Sequence, residues 1–237
     1  MKISIIIPIF NERKNIKELI FQIRKRLIKN SYEIIIVDDS STDGSKKVLN
    51  SLNKKYKNLK VIFRNNEIRD LSRSCRDGFE KSKYKNILVM DGDLQHDPIY
   101  IPKMIRIFKK NKSDFVVGIR ELKNKRVKGL SILRQFLSIS IITILEIIFK
   151  KKTDDPMSGF FLFKKAIYEK NKNKLFLKGF KILADLIFLN NNFKIDDIKI
   201  KFNYRKKGKS KLNLNITLII IQFIIVRFFT NLFLKWK

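Results

Sequence analysis

The feature that most restricts how this chain can fold is a repeated unit. An apolar run of strand length is followed by a short connection and an amphipathic helical stretch, with acidic residues where several of the runs end. Ile3–Ile9 reads as a buried strand, and Ile16, Leu19, Ile20, Ile23 and Leu27 then recur at helical spacing with Lys and Arg between them. Glu33–Val37 is a second strand ending on Asp38 and Asp39, and Ser41 and Thr42 stand as N-cap residues for a helix over Asp43–Lys54. Leu59–Phe63 is a third strand, Asp70–Ser82 a helix, Asn86–Met90 a fourth strand ending on Asp91, Ile99–Lys110 a helix and Phe115–Gly118 a fifth strand. Such alternation means βαβ units and an α/β fold, a mostly parallel sheet flanked by helices. Ligands of these sheets lie beyond the carboxyl ends of the strands. Asn11–Glu12, Asp38–Asp39 and Asp91–Asp93 stand at such ends.

The second half reads differently. Leu130–Phe149 is a long apolar stretch interrupted by Arg134, Gln135 and Glu146. Asp154–Phe161 is turn-like and leads into a short apolar run, Phe180–Leu189 reads as a helix, and Lys194–Phe202 as a strand. A basic loop, Tyr204–Lys211, precedes Leu212–Leu234, a run of mainly Ile, Leu and Phe long enough to span a bilayer. Arg227 inside that run costs about 2.5–3.5 kcal/mol on insertion scales, so spanning, lying in the interface and pairing with a partner's helices all stay open. Ile3–Phe10 lacks the pattern of a signal peptide, so the N-terminal part is expected in the cytoplasm.

Charge and rare residues limit the chemistry. With 53 Lys or Arg against 22 Asp or Glu, the net charge of +31 requires an anionic partner: nucleic acid, a phosphate-rich substrate or an anionic membrane surface. No helix-turn-helix, zinc-finger or RNP-like motif supports nucleic acid, which is therefore not an expected partner. The single cysteine, Cys75, excludes an intramolecular disulfide and a Cys-cluster zinc site, and the single histidine, His96, argues against a His-based triad. Chemistry must then run on carboxylates, Arg and Lys. His96 itself reads as a turn residue beside Asp97-Pro98.

Asp91-Gly92-Asp93 is the sharpest local signal. Two carboxylates one residue apart on a tight turn can share a divalent cation, and oxygen ligands suit Mg²⁺ or Mn²⁺, which also bridges nucleotide phosphates. Gln95 adds a neutral oxygen, and Gly92 leaves room for the backbone to approach a ligand. In Asp38-Asp39-Ser40-Ser41-Thr42-Asp43-Gly44-Ser45, a strand-end carboxylate is placed to accept hydrogen bonds from a ribose or base, and the same residues suit a capping turn. Pro8-Ile9-Phe10-Asn11-Glu12 is a strand-to-helix turn.

These motifs, in this order and each at a strand end, resemble the inverting glycosyltransferases of family 2, which have a GT-A (Rossmann-like) fold. Within that family the chain looks most like the polyprenol-phosphate (dolichol-phosphate) mannose synthases and their glucosyl relatives. Asp155-Pro156-Met157-Ser158-Gly159-Phe160-Phe161 and Arg205-Lys206-Lys207-Gly208-Lys209-Ser210-Lys211 support that subgroup, and the match covers about residues 3–213.

The resemblance implies a GT-A catalytic domain over residues 1–211, with a membrane-interface helix within 130–150, and a C-terminal membrane helix or anchor over 212–237. It implies transfer of a hexose, mannose from GDP-mannose, to polyprenyl or dolichyl phosphate. UDP-glucose or another nucleotide sugar is the alternative donor, and a glycan the alternative acceptor. Pro8, Phe10, Glu12, Val37 and Asp39 would line the base and ribose; Asp91, Gly92, Asp93 and Gln95 would meet the diphosphate. Asp91, Asp93 and Gln95 would hold Mg²⁺ or Mn²⁺. Arg120, Arg205 and Lys211 would gather the donor diphosphate, and Arg120, Arg134 and Ser210 the acceptor phosphate, with catalysis resting on Asp91, Asp93, Arg205 and Lys211. The family often has an aromatic residue where Phe10 stands, here without a tyrosine hydroxyl. The expected location is membrane-associated, with the catalytic domain cytoplasmic, lipids as partners and a small integral membrane protein as a further one. Lys14–Lys29 and the Lys-rich segments near 150 and 206–211 would then favour an anionic cytoplasmic leaflet.

Overall fold

The structure is a computed structural model and describes residues 1–28, 31–65, 68–120, 152–179, 182–189 and 192–203, together with residue 222. Leu130–Phe149, Tyr204–Lys211 and, Gln222 apart, Leu212–Leu234 lie outside the described residues, as do Arg134, Arg205, Ser210 and Lys211.

The expected α/β alternation forms. Strand β1 (Ile3–Ile9) leads to helix α1 (Arg13–Arg26), β2 (Tyr32–Asp38) to α2 (Ser45–Lys55), β3 (Leu59–Phe63) to α3 (Leu71–Lys81), and β4 (Asn86–Val89) through a 3-10 turn at Pro98–Tyr100 to α4 (Ile101–Asn111). Then follow β5 (Phe115–Arg120), β6 (Phe161–Lys164), α5 (Lys165–Asn171), α6 (Ile182–Ile187) and β7 (Ile195–Ile200). The 7-stranded sheet has the order β3-β2-β1-β4-β6-β5-β7. All of β1 is buried, as befits a strand covered on both faces. Because alternate side chains point to opposite faces, Ile5 and Ile7 pack with α1, α2 and α4, while Ile6, Ile35 and Val37 pack with α3, α5 and α6. Among the described residues no helix is long and apolar enough to cross a membrane.

Two expectations change. The short apolar run after Asp154–Phe161 is a strand, β6, and it is antiparallel to both neighbours: Val89 of β4 and Val117 of β5 both pair with Phe161. The residues entering β6 therefore arrive at the same sheet edge as the residues leaving β4 and β5. Ser41 and Thr42 do not cap α2; Gly44 does, at a left-handed φ of 84° and without a side-chain cap bond. The reason is competition, because the Ser41 hydroxyl donates to Asp38 and accepts from the backbone N–H of Asn11.

Asp70 ties α3 to a distant loop. One carboxylate oxygen accepts from the Arg73 N–H at 3.1 Å, capping the helix, and the other from the Gly179 N–H at 2.5 Å. The Ser72 hydroxyl donates to the Gly179 carbonyl at 2.8 Å. Replacing Asp70 by Ala removes a cap and orphans a backbone N–H, so Asp70→Ala is expected to lower stability by about 1–2 kcal/mol. In urea unfolding, the midpoint should fall with the slope unchanged.

Candidate active site

The loops leaving β1 and β2 are fastened to each other. Asp39 N–H donates to the Ile9 carbonyl at 2.9 Å, Thr42 N–H to Asn11 Oδ1 at 2.8 Å and Arg13 N–H to Asp43 Oδ2 at 2.9 Å. Asn11 (φ 56°), Ser40 (φ 60°) and Leu94 (φ 64°) put one left-handed residue other than glycine in each loop that follows β1, β2 and β4. For a buried leucine this conformation costs on the order of 1–2 kcal/mol, strain of the kind stored at functional loops.

Asp39 is held by a buried cation. The Arg64 guanidinium pairs with Asp39 Oδ1 and, through Nε, with Asp77 at 3.0 Å, while the Asp70 N–H donates to Asp39 Oδ2 at 2.7 Å. Burial pushes the Asp39 carboxyl above its ordinary value, and Arg64 opposes that shift. Arg64 also donates its backbone N–H to the Asp38 carbonyl at 3.0 Å, so it closes the ends of β2 and β3 together. Nearby, the Arg69 guanidinium lies 4.7 Å from the centre of the Phe10 ring. Neither arginine was singled out by motif, yet Arg64 directly follows β3, and the strand-end rule applied to that strand points to it.

Among the other residues expected to meet the nucleotide, Phe10 is half-buried and Pro8 buried. Glu12 is buried and accepts from Asn15 Nδ2 at 2.6 Å, inside the first turn of α1. The Val37 side chain is fully buried in the core beside Cys75 and Phe79, so its backbone is what it can offer a ligand.

Beyond β4, Asp91 is 33% exposed at its side chain, and Asp93 is buried and accepts from the Gln95 N–H at 3.0 Å. Gln95 exchanges two hydrogen bonds with the segment just past β7: its side-chain amide nitrogen donates to the Asn203 carbonyl at 3.1 Å, and Asn203 N–H donates to the Gln95 backbone carbonyl at 3.0 Å. That ties the amide nitrogen down and leaves Oε1 as the oxygen for a cation. Among the described residues no group of three or more His, Cys, Asp or Glu is placed to hold a metal. Two carboxylates and one amide oxygen fit a hard cation that completes its shell with water and phosphate oxygens. A Cβ on Gly92 would lie 2.6 Å from the Ile9 side chain, so its bareness also lets the turn pack on β1.

The lead-in to β6 reaches this point. A Cβ on Gly159 would lie 2.6 and 2.7 Å from the two oxygens of Asp91. Asp155 is fully buried and binds Arg120 through both its oxygens, at 2.6 Å to Nε and 2.9 Å to Nη2. Burial works against the Arg120 charge, but Asp155, with help from Asp91, overrides it and raises the guanidinium above its ordinary value. Phe202 lies under Arg120, 5.5 Å from ring centre to Cζ. Arg120 is thus fixed beside Asp91 with much of its hydrogen-bonding capacity already used.

The model of glycosyl transferase family 2 matches residues 4–171. The dolichol-phosphate mannosyltransferase of Pyrococcus furiosus is 38% identical over 210 residues, 88% of this chain and 58% of that protein. The enzyme of that name from Mycosarcoma maydis is 30% identical over 86% of this chain and 71% of its own length, and that of Saccharomyces cerevisiae 32% over 78% and 69%. The chain thus spans little more than half of the archaeal relative. Among solved structures, glucosyl-3-phosphoglycerate synthase from Mycobacterium tuberculosis in complex with Mn²⁺ and UDP-glucose superposes with a TM-score of 0.69 at 13% identity, covering 97% of this chain and 78% of that one. Staphylococcus aureus TarS 1-349 gives 0.64 at 19%, covering 96% and 65%. At those identities the likeness concerns the fold, the expected GT-A architecture.

Two substitutions probe the site's frame. Arg64→Ala leaves the buried Asp39 without its cation, while Asp77 keeps Arg76 at 2.8 Å, and a loss of about 3–5 kcal/mol is expected in chemical unfolding. Gly159→Ala pushes the Asp91 carboxylate aside while leaving β6 paired. It should weaken Mn²⁺ binding, read by the paramagnetic resonance of free Mn²⁺, with little change in melting temperature.

Proposed function

The chain belongs to glycosyl transferase family 2, and from that membership we propose that it moves mannose from GDP-mannose to a polyprenyl or dolichyl phosphate, with inversion at the anomeric carbon. The observation that carries this reading is the meeting of Asp91, Asp93 and the Gln95 amide with the Asp155–Gly159 lead-in at one sheet edge. The names of relatives 30–38% identical to the chain support the acceptor and the sugar.

Asp91, Asp93 and Gln95 would hold the cation, Mg²⁺ or Mn²⁺, as the Mn²⁺ in a solved relative of the same fold suggests. Bound there, the cation would neutralise charge that builds on the departing diphosphate. Asp39, steadied by Arg64, and Phe10, beneath Arg69, would take the base and ribose. The acceptor phosphate is already an anion, so one of its oxygens can attack the anomeric carbon without a strong general base. The new carbon–oxygen bond forms as the old one breaks, and its electron pair leaves with the nucleoside diphosphate. Arg120 is committed to Asp155, so its part would be a fixed positive field. Gathering the two anionic substrates would fall chiefly to Arg205 and Lys211, with Arg134 and Ser210 on the acceptor. Residues 130–150 and 212–237 would hold this cytoplasmic catalytic domain, residues 1–211, on the membrane, with a small integral protein as the partner of the C-terminal segment.

Incubation with GDP-mannose, Mn²⁺ and undecaprenyl or dolichyl phosphate should yield a lipid-phosphate hexose by mass spectrometry, and chelation should abolish it. Asp93→Ala should cut turnover by more than about a hundredfold, the scale of losing one preorganised electrostatic contact. Product from UDP-glucose alone would reassign the donor. No lipid product from any nucleotide sugar would overturn the reading.

A further inference from the structure

His96, expected as a turn residue, is instead 2% exposed at its side chain and sits against the cation site. Its ring stacks on Phe160, with centroids 5.4 Å apart and planes 28° apart, and meets Phe202 edge-on at 5.2 Å. Both ring nitrogens are buried without an aligned hydrogen bond. A buried polar group left unsatisfied costs about 1–3 kcal/mol, so a phenylalanine in this aromatic slot would serve stability better. An imidazole that is poor for stability invites a functional explanation.

The explanation lies in the direction of Nδ1, which is 3.2 Å from Asp91 Oδ2. The distance suits a hydrogen bond, and the alignment is oblique. Donors at active sites are often misaligned before the ligand binds and tighten with it. Gly159 closes on the same carboxylate, since a Cβ there would meet both of its oxygens. Asp91 therefore stands between a wall that excludes side chains and a ring that carries a donor.

We propose that His96 is a positioning residue for Asp91: its Nδ1–H anchors Oδ2 and leaves Oδ1 for the cation. A neutral imidazole carries one N–H, and the carboxylate selects the tautomer that places it on Nδ1. Outer-shell donors of this kind fix the orientation of a ligating group, and their loss typically lowers metal affinity about 10–100-fold. The inference rests on Asp91 being a cation ligand, as the proposed function has it. It adds the residue that makes a half-exposed carboxylate hold one orientation.

The test is titration of the full-length protein with Mn²⁺ alone, following free Mn²⁺ by paramagnetic resonance, alongside thermal melting. His96→Phe keeps the aromatic stack and loses the donor. It should melt no lower than the unaltered protein and bind Mn²⁺ about 10–100-fold more weakly. His96→Asn places an amide N–H where Nδ1 stood and should restore most of the affinity; His96→Gln places it near Nε2 and should not. Unchanged Mn²⁺ affinity in a folded His96→Phe overturns the role. Should that variant fail to fold, the Asn and Gln pair decides, and equal affinities overturn it. If the unaltered protein binds no Mn²⁺, the reading of Asp91 and Asp93 as ligands falls, and this role with it.

Discussion

β6 is hydrogen-bonded to β4 on one side and β5 on the other, antiparallel to both, and that pairing decides what stands beside Asp91. Were the strand parallel, its lead-in would emerge at the opposite edge, and Asp155, Gly159 and Phe160 would face away from the acidic turn. Reversed, it delivers Asp155 to Arg120, Gly159 to the Asp91 carboxylate and Phe160 to the ring of His96. The turn beyond β4 is thus assembled from segments far apart in the chain. Its last member, Asn203 just past β7, is fastened to Gln95 by two hydrogen bonds.

Buried charge follows a single pattern around this edge. Arg64 with Asp39 and Asp77, and Arg120 with Asp155, are ion pairs whose desolvation cancels much of their attraction. Such pairs contribute little net stability and a good deal of positional definition. They hold carboxylates and guanidinium groups at fixed places where an anionic ligand and a cation would meet. The lysines among the described residues are of another kind, mostly exposed and suited to long-range attraction of anions.

Much of this was legible in the sequence because local and long-range preferences agree. The run Ile3–Ile9 is apolar but for Ser4 and bounded by turn residues, and β1 has those limits. β3, at Leu59–Phe63, was equally legible. Strand β6 was read only as a short apolar run, since four residues carry too little periodicity to announce a strand, and nothing local sets its direction. Ser41 and Thr42 have the right chemistry for caps, but Asp38 and Asn11 engage the Ser41 hydroxyl, and Asn11 holds the Thr42 backbone N–H. The Arg120–Asp155 pair joins residues with no spacing signal between them. His96 looked like a turn residue because its neighbours Asp97 and Pro98 make one; its burial comes from Phe160 and Phe202, which only the fold brings close.

The central claim is that the strand ends converge to bind one divalent cation together with a nucleoside diphosphate. The most direct measurement is a crystal structure of the protein grown with Mn²⁺ and GDP, with diffraction recorded at the manganese absorption edge. The account predicts an anomalous peak ligated by Asp91, Asp93 and Gln95 Oε1 and by the diphosphate, with the nucleoside running toward Asp39. A peak elsewhere in the protein, or GDP bound away from the carboxyl edge of the sheet, would contradict it.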